Sequence, residues 1–448
     1  MKSLAVVFWL TVFFAIPGYA GQMAGDRDVR NPGARNGNAR DTMETALGRE
    51  ETEMGREETD LESKQIALLQ SLLQNTETAV LSYAAKAGEL QVRAITAEGV
   101  HSVSLPAGSV FFSRVLAFKN SLKAREGFDR SLAHELYKKL IIPVKANLHG
   151  KTHLVVIPCK NIGLIPFAAL VPDTASNRYL LHDYAVSYSY DIESLIRPAI
   201  VLSDYDRQKV LAVAPFNIPS AEKEIMNIKA DHLLGKAASL DRFLEKARNY
   251  SIIHLTTYAT ITDSANSFIV FSQENAKPVT NLPNTNPKLF IEDIGGLNLE
   301  KVSLIVLSPC QPASSNLGDT GVFSMAGAFG RAGCHNFITS LWQTDPEATL
   351  KISMKLHQYI HKGEGYAQAL QKARINYLEN PAVADELKSP GYWAGFILLG
   401  EINTIPQSHK IFYYFALAFA VLVVVYILRR KNHCYSHADR QEHSQTIR

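Results

Sequence analysis

The spacing of apolar and polar positions divides the chain into parts with different rhythms. Apolar residues recur at helical spacing just after Leu61 and predict a first amphipathic helix. Alternating stretches separated by turns then predict three strands, over Ala79–Ala84, Leu90–Ile95 and Val100–Leu105. Two more helical stretches close this part, at about 109–123 and 129–142. Residues 61–150 are therefore predicted to form a smaller helix-plus-strand portion.

Residues 151–403 alternate between continuous apolar runs and helical stretches. The runs are typical of strands buried on both faces, and they include Leu154–Ile157, Val210–Val213, Ser251–Leu255, Leu304–Leu307 and Asn336–Thr339. Helical stretches between them predict an α/β fold, in which a mostly parallel sheet carries helices on both faces. Reactive groups on such sheets sit at the carboxyl ends of strands. The segments after Leu255 and Leu307 are the first candidates.

The N-terminal pattern predicts export. Met1 and Lys2 precede a short apolar run, and the small residues Gly18 and Ala20 follow it, which is typical of a signal peptide over residues 1–20. An uncleaved anchor is the alternative. Residues 21–60 are polar and nearly free of large apolar side chains, so they are predicted to be a disordered spacer.

The C-terminal pattern predicts a membrane anchor. Residues 411–428 carry no charge and would span about 27 Å as a helix, which matches the hydrocarbon core of a bilayer. The bases Arg429, Arg430 and Lys431 follow, as expected on the cytoplasmic side. A buried core helix is the alternative, but the segment has no polar face. The predicted topology places residues 21–410 outside and a basic tail, residues 429–448, in the cytoplasm.

Composition narrows the class of protein. Of 448 residues, 46% are hydrophobic and 20% are charged, and the formal net charge is +3, which is typical of a globular protein without a nucleic-acid partner. Three cysteines, Cys159, Cys310 and Cys334, precede the predicted anchor, so at least one should be a free thiol. Their spacing predicts neither a disulfide framework nor a metal site, and no cofactor is expected.

Cys310 is the candidate with a chemical interpretation. It follows the run that ends at Leu307 and precedes a helix predicted from about Gly321, where a nucleophile would be exposed and could gain thiolate character. Because cysteine is among the most frequently buried residues, a structural cysteine is the alternative.

Several sequence blocks, in order, resemble the CHAT domain, a caspase-like family related to separases. The resemblance covers roughly residues 61–401. The matching blocks are Ile157–Leu170, Tyr179–Tyr188, His254–Ala259 (similar to "HfatHG") with Ser267–Phe271, Val306–Gln311 (similar to "vLsaCeT"), Gly333–Asp345 and Tyr392–Gly400. The resemblance implies a caspase-like fold and a Cys–His dyad that cleaves peptide bonds.

Residue by residue, the resemblance places the nucleophile at Cys310 and the catalytic histidine at Tyr258, which is a departure from the family pattern. Histidine can accept and return a proton near neutral pH, whereas tyrosine, with an ordinary pKa of about 10, cannot. The glycine after the family histidine is replaced by Ala259, which would restrict a turn that needs positive φ. Asp319 matches an acidic loop position that could bind a basic substrate side chain; a solvated loop acid or a helix cap is the alternative.

Two other histidines could in principle replace the missing base. His254 lies about 13 Å before Tyr258 on an extended strand, and the resemblance implies a structural role for it. His335 is expected at the start of a buried strand as a core residue. Trp342 and Trp393 belong to blocks that resemble packing elements.

Two functions follow as expectations. In the first, the chain is a degenerate relative that binds a protein or peptide partner or signals across the membrane. In the second, it is an active cysteine endopeptidase that uses Cys310 with a non-standard base. The fold alone cannot decide between them, because function resides in the site. Substrate, partner and oligomeric state are not predicted.

Overall fold

The structure is a computed structural model that describes residues 60–124, 127–197, 209–262, 266–273, 286–312 and 319–402. The chain divides into two units, Met1–Asp60 and Leu61–Arg448, and the described residues belong almost entirely to the second. The predicted signal peptide, spacer, membrane helix and tail lie outside the described residues, apart from Asp60. Within the described ranges, no helix is long and apolar enough to cross a membrane.

The helices agree closely with the apolar periodicity of the sequence. In chain order they are α1 (residues 60–73), α2 (Ser109–Lys123), α3 (Arg130–Leu140), α4 (Ile192–Ile196), α5 (Pro219–Met226), α6 (Leu240–Ala247), α7 (Ile291–Ile294), α8 (Asp319–Arg331), α9 (Pro346–His361), α10 (Tyr366–Glu379) and α11 (Pro390–Trp393). Several begin at side-chain caps. Asp129 accepts the Leu132 N–H at the start of α3, and Asp345 accepts the Glu347 and Ala348 N–H groups at the start of α9.

The strands form one mixed sheet. They are β1 (Thr78–Lys86), β2 (Glu89–Thr96), β3 (Gly99–Pro106), β4 (His153–Ile157), β5 (Ala185–Tyr188), β6 (Val210–Ala214), β7 (Asp231–Leu234), β8 (Ile252–Thr260), β9 (Phe268–Val270), β10 (Lys288–Phe290), β11 (Leu304–Pro312), β12 (Phe337–Ser340) and β13 (Phe396–Leu399). Their order is β10-β9-β8-β11-β12-β13-β5-β4-β1-β2-β3, with β6 beside β8 and β7 beyond β6. The predicted α/β fold with a mostly parallel sheet is confirmed.

Helices cover both faces of this sheet, because neighbouring strand residues enter different cores. On β4, Leu154 packs into the large core, whereas Val155 packs with Leu69 of α1 and Leu195 of α4 on the opposite face. Residues of β6 divide in the same way between the large core and a smaller one under α5. Such two-sided burial explains why these strands read as continuous apolar runs rather than as alternating ones.

The sheet has two parallel halves that run in opposite directions. β6, β7, β8, β11 and β12 are parallel to one another, and so are β13, β5, β4 and β1. The halves meet where β12 pairs antiparallel with β13. The carboxyl ends of β8 and β11 therefore lie together at one edge of the first half, where the sequence places Tyr258 and Cys310.

Candidate functional site

Both candidate segments lie within strands rather than after them, which corrects the predicted strand ends. β8 continues to Thr260 and β11 continues to Pro312. The extra residues continue the pairing of the two parallel strands, Thr256 with Ser308 and Thr257 with Pro309. The last residues of β8 also pair antiparallel with β9, which closes the other side of the strand.

Tyr258 and Cys310 occupy facing positions on these neighbouring strands. The register is regular up to the pair Thr257–Pro309, resumes at Ala259–Pro312, and is shifted in between. One residue of β8, Tyr258, therefore lies opposite two residues of β11, Cys310 and Gln311, as in a β-bulge. Bulges are frequent next to active sites, because they change the direction of a strand locally.

Tyr258 lies in the extended backbone of β8 and packs against another aromatic ring. Its ring is half-buried and packs edge-on against Phe216, with ring centroids 5.1 Å apart. Ala259 is buried within β8 and does not have a positive φ angle. The expected conflict between Ala259 and a glycine-type turn therefore does not arise at this position.

His254 is a buried structural residue, as the resemblance implied. It belongs to a group that we call the buried network, namely Glu224, His254, Ser308, Ser353 and His357. His254 Nε2 lies 3.0 Å from Glu224 Oε1, and His254 Nδ1 lies 2.8 Å from His357 Nε2. Ser353 and Ser308 donate to the two oxygens of the Glu224 carboxyl group, at 2.7 and 3.2 Å.

The buried network ties two helices to the two strands of the candidate site. Glu224 comes from α5 and His357 from α9, whereas His254 lies on β8 and Ser308 on β11, two residues before Cys310. Burial, reinforced by the neighbouring His254, lowers the pKa of His357 well below its ordinary value. Since both ring nitrogens of His254 are bonded within the network, His254 is not available as a base for Cys310.

His335 lies elsewhere and is less buried than expected. It precedes β12, is half-buried, and lines a cavity of about 530 Å³ that runs along α8. Partial burial, with the nearby Arg197, lowers the pKa of His335. The expectation of a core histidine at the start of a buried strand is therefore corrected, because this residue faces a cavity.

Asp319 connects three distant parts of the chain. Its carboxylate accepts the Leu164 N–H at 3.0 Å and forms an ion pair with Lys119 of α2. The φ angle of Gly163 is +60°, and a Cβ atom there would collide with this carboxylate. A basic substrate side chain would therefore have to compete with Lys119, and the substrate-binding role of Asp319 stays a prediction.

The tryptophans of the matching blocks are packing elements. Trp393 is fully buried, donates to the Lys388 carbonyl at 3.1 Å, and packs edge-on against Tyr179. Trp342 donates to the Gly391 carbonyl at 2.8 Å. Both indole N–H groups are therefore satisfied inside the core, as buried tryptophans require.

Among the cysteines whose side chains the structure describes, two are free thiols, which agrees with the expectation of at least one. Cys159 is half-buried and Cys334 is buried. Burial raises the pKa of Cys334 to about 12, so this thiol is unreactive at neutral pH. Across the described ranges, no three His, Cys, Asp or Glu side chains converge in a way that could hold a metal ion.

Sequence reasoning missed Glu224 and His357. They are separated from His254 by 30 and 103 residues, so no local motif connects them. One signal was available in the sequence: Glu224 and His357 occupy positions on the apolar faces of α5 and α9, where apolar side chains are expected. Such polar residues at helical core positions are unfavourable unless they find partners.

The sequence and the structure were compared with protein families and with known proteins. The family model of the CHAT domain matches residues 130–401. No curated protein matches the sequence. Among solved structures, the chain is similar to separase in the separase–securin complex of Saccharomyces cerevisiae, with 10% identity and a TM-score of 0.47 over 76% of this chain. That match covers 31% of the separase chain, so this chain spans about a third of it.

The chain is also similar to bacterial cysteine proteinases. One is the Arg-specific cysteine proteinase gingipain R (RgpB), with 9% identity and a TM-score of 0.39 over 62% of this chain and 68% of that one. Another is the complex of the pro- and mature domains of RgpB from Porphyromonas gingivalis, with 10% identity and a TM-score of 0.38 over 65% and 74% of the two chains.

Proposed function

The chain belongs to the CHAT domain family, and on that premise we propose that it is a degenerate relative of the caspase-like cysteine peptidases that acts by binding or signalling. The observation that carries the proposal is that Tyr258 lies opposite Cys310 and Gln311 on the neighbouring strand. The sequence resemblance assigns the family histidine to this position. A phenol with an ordinary pKa of about 10 is a poor base at neutral pH, and it gives no positive charge to a thiolate.

The two histidines that could replace it support the same proposal. His254 is 0% exposed and bonded at both ring nitrogens. His335 precedes β12, next to the end of β13 rather than the carboxyl end of β11. A general base must come within hydrogen-bonding reach of the thiol, so neither residue is placed to act in that role.

The partner that we propose is a protein or peptide. The carboxyl ends of β8 and β11 lie together at one edge of the sheet, which is where open α/β sheets bind their ligands. Binding without cleavage needs shape and hydrogen-bonding groups but no proton transfer. Retention of Cys310 is compatible with this role, because a thiol can also serve as a packing group.

We further propose that the domain is tethered to a membrane by residues 411–428 and lies outside the cytoplasm. The uncharged segment and the following Arg429, Arg430 and Lys431 support this topology. We expect alkaline carbonate extraction of membranes to leave the full chain in the pellet and to release a chain that ends at residue 403. Release of the full chain would contradict the proposal.

An electrophilic peptide probe tests the proposed loss of catalysis. We expect the unmodified chain to show no Cys310-dependent labelling at neutral pH and no turnover of a mixed set of peptide substrates, because nothing at Tyr258 generates the thiolate. The measurement is intact-protein mass spectrometry, with Cys310→Ala as the reference.

Cys159 requires a control, because a half-buried thiol could react by itself. The fourth cysteine, Cys434, lies after the predicted anchor and needs the same treatment. The probe is therefore also applied to Cys159→Ala/Cys434→Ala, in which Cys334 is buried and unreactive and the remaining labelling reports Cys310. Labelling that disappears in Cys310→Ala, together with peptide turnover by the unmodified chain, would show that the protein is an active peptidase and would overturn the proposal.

A further inference from the structure

A second cavity lies at the opposite end of β8 from Tyr258. It has a volume of about 290 Å³ and reaches the starts of β6 and β8 at Val210 and Ile252. The ends of α5 and α9 form its other walls. Its described lining consists of Val210, Asn227, Ile228, Lys229, Ile252, Met354, His357, Gln358, Ile360, His361 and Lys362.

The ionisable side chains in the described lining of this cavity are all basic. Lys229, His361 and Lys362 are exposed at its mouth, and no carboxylate belongs to the described lining. Lys229 Nζ lies 3.4 Å from His361 Nε2, so an ammonium and an imidazole are held side by side. The carbonyls at the end of α9, which would repel an anion, accept the Lys362 N–H.

The inner wall of the cavity includes His357, for which one of the two ring nitrogens has a described hydrogen-bond partner. His357 is 7% exposed and its Nε2 bonds His254, whereas no described residue bonds its Nδ1. A ring nitrogen that lines a cavity and has no protein partner can be bonded there by ordered water or by a bound ligand. Titratable groups face His357 from three elements and the segment after α5. β8 contributes His254, which is bonded to Glu224 of α5. Lys229 follows α5, and His361 and Lys362 lie at the end of α9, whereas β6 contributes only Val210, which does not titrate.

We propose that this cavity binds a small soluble oxyanion, such as phosphate or the phosphate group of a small metabolite. Lys229 and His361 would bind it at the mouth, and His357 would bind it inside. The volume suits a ligand of few atoms, since drug-sized ligands occupy larger pockets. The cavity lies at the other end of β8 from Tyr258, so the proposal goes beyond the proposed function.

Binding would be linked to protonation of His357. An anion favours the imidazolium form, while burial and His254 favour the neutral form and hold its pKa down. The bound anion therefore raises the pKa of His357, and affinity increases as the pH falls. This linkage distinguishes a site that includes His357 from a patch of surface lysines.

Isothermal titration of the full chain with inorganic phosphate and with sulfate tests the proposal. We expect saturable binding of one anion per chain, weakened about tenfold by Lys229→Gln. The matched control is Lys236→Gln, which removes the same charge from an exposed lysine outside the cavity and should leave the affinity unchanged. Sulfate keeps its charge between about pH 8 and about pH 6, and its affinity should rise across this range in the unmodified chain and less in His357→Gln.

Three outcomes would overturn the proposal. The first is the absence of saturable binding. The second is equal weakening by Lys229→Gln and Lys236→Gln, which would show a net-charge effect. The third is binding to vesicles that contain phosphatidic acid without binding of inorganic phosphate, which would identify a lipid surface instead. Lys229 is exposed, so its variant should fold even if His357→Gln does not.

Discussion

Replacement of Glu224 by alanine is expected to lower the free energy of unfolding by about 3–5 kcal/mol, which is typical when one partner of a buried charged network is removed. The carboxyl group of Glu224 accepts hydrogen bonds from His254, Ser353 and Ser308, all of which are buried. Without it, these donors lose their acceptor, and each buried unsatisfied group costs about 1–3 kcal/mol. Equilibrium denaturation in urea measures the change.

The matched control is Glu245→Ala, which removes an exposed carboxylate from α6 and should change stability by no more than about 0.5 kcal/mol. Glu224→Gln separates charge from shape, because its one amide oxygen can still accept from Ser353 and His254, while the amide nitrogen in place of the other oxygen can donate to the Ser308 hydroxyl. We expect it to cost less than Glu224→Ala. A Glu224→Ala variant as stable as Glu245→Ala would show that the buried network contributes nothing to the fold.

The fold was predictable wherever apolar periodicity is local. Continuous runs such as Leu154–Ile157 are confirmed as strands, and so are the helices that follow the same rule. Short strands such as β7, β9 and β10 were missed, because three or four residues carry too little pattern to be read. The reversal at β13 was missed for another reason. Strand direction depends on which partner the strand finds, and Phe396–Leu399 itself contains no signal for antiparallel pairing.

For the candidate site, too, the sequence predicts local features but not those that depend on contacts between distant segments. The sequence places Tyr258 and Cys310 after buried runs, and therefore near the carboxyl ends of strands, but it does not show that these strands are neighbours. The bulge that places two residues of β11 opposite Tyr258 depends on pairing between strands, so no local sequence pattern predicts it. Glu224 and His357 come from helices far along the chain, so only packing brings them to His254.

Substitution of Tyr258 by histidine is expected to create peptidase activity, with hydrolysis of a mixed peptide set about 10²–10⁴-fold above the unmodified chain, the range that a positioned acid–base group contributes. Residue 258 of β8 lies opposite Cys310 in the strand register. We expect an imidazole at this position to accept the thiol proton and to stabilise the thiolate. Alkylation by iodoacetamide at neutral pH should accelerate as well, and it requires no knowledge of the natural substrate.

Two variants define what this gain means. Tyr258→His/Cys310→Ala should abolish it, which assigns the activity to Cys310. Tyr258→His/Ala259→Gly should add little, because Ala259 has no positive φ angle and the strand already tolerates a side chain there. If Tyr258→His alkylates no faster than the unmodified chain, the loss of the histidine is not what silences Cys310. The altered strand end around Pro309 and Pro312, which departs from the family pattern on both sides of the Cys310–Gln311 pair, then becomes the cause to test.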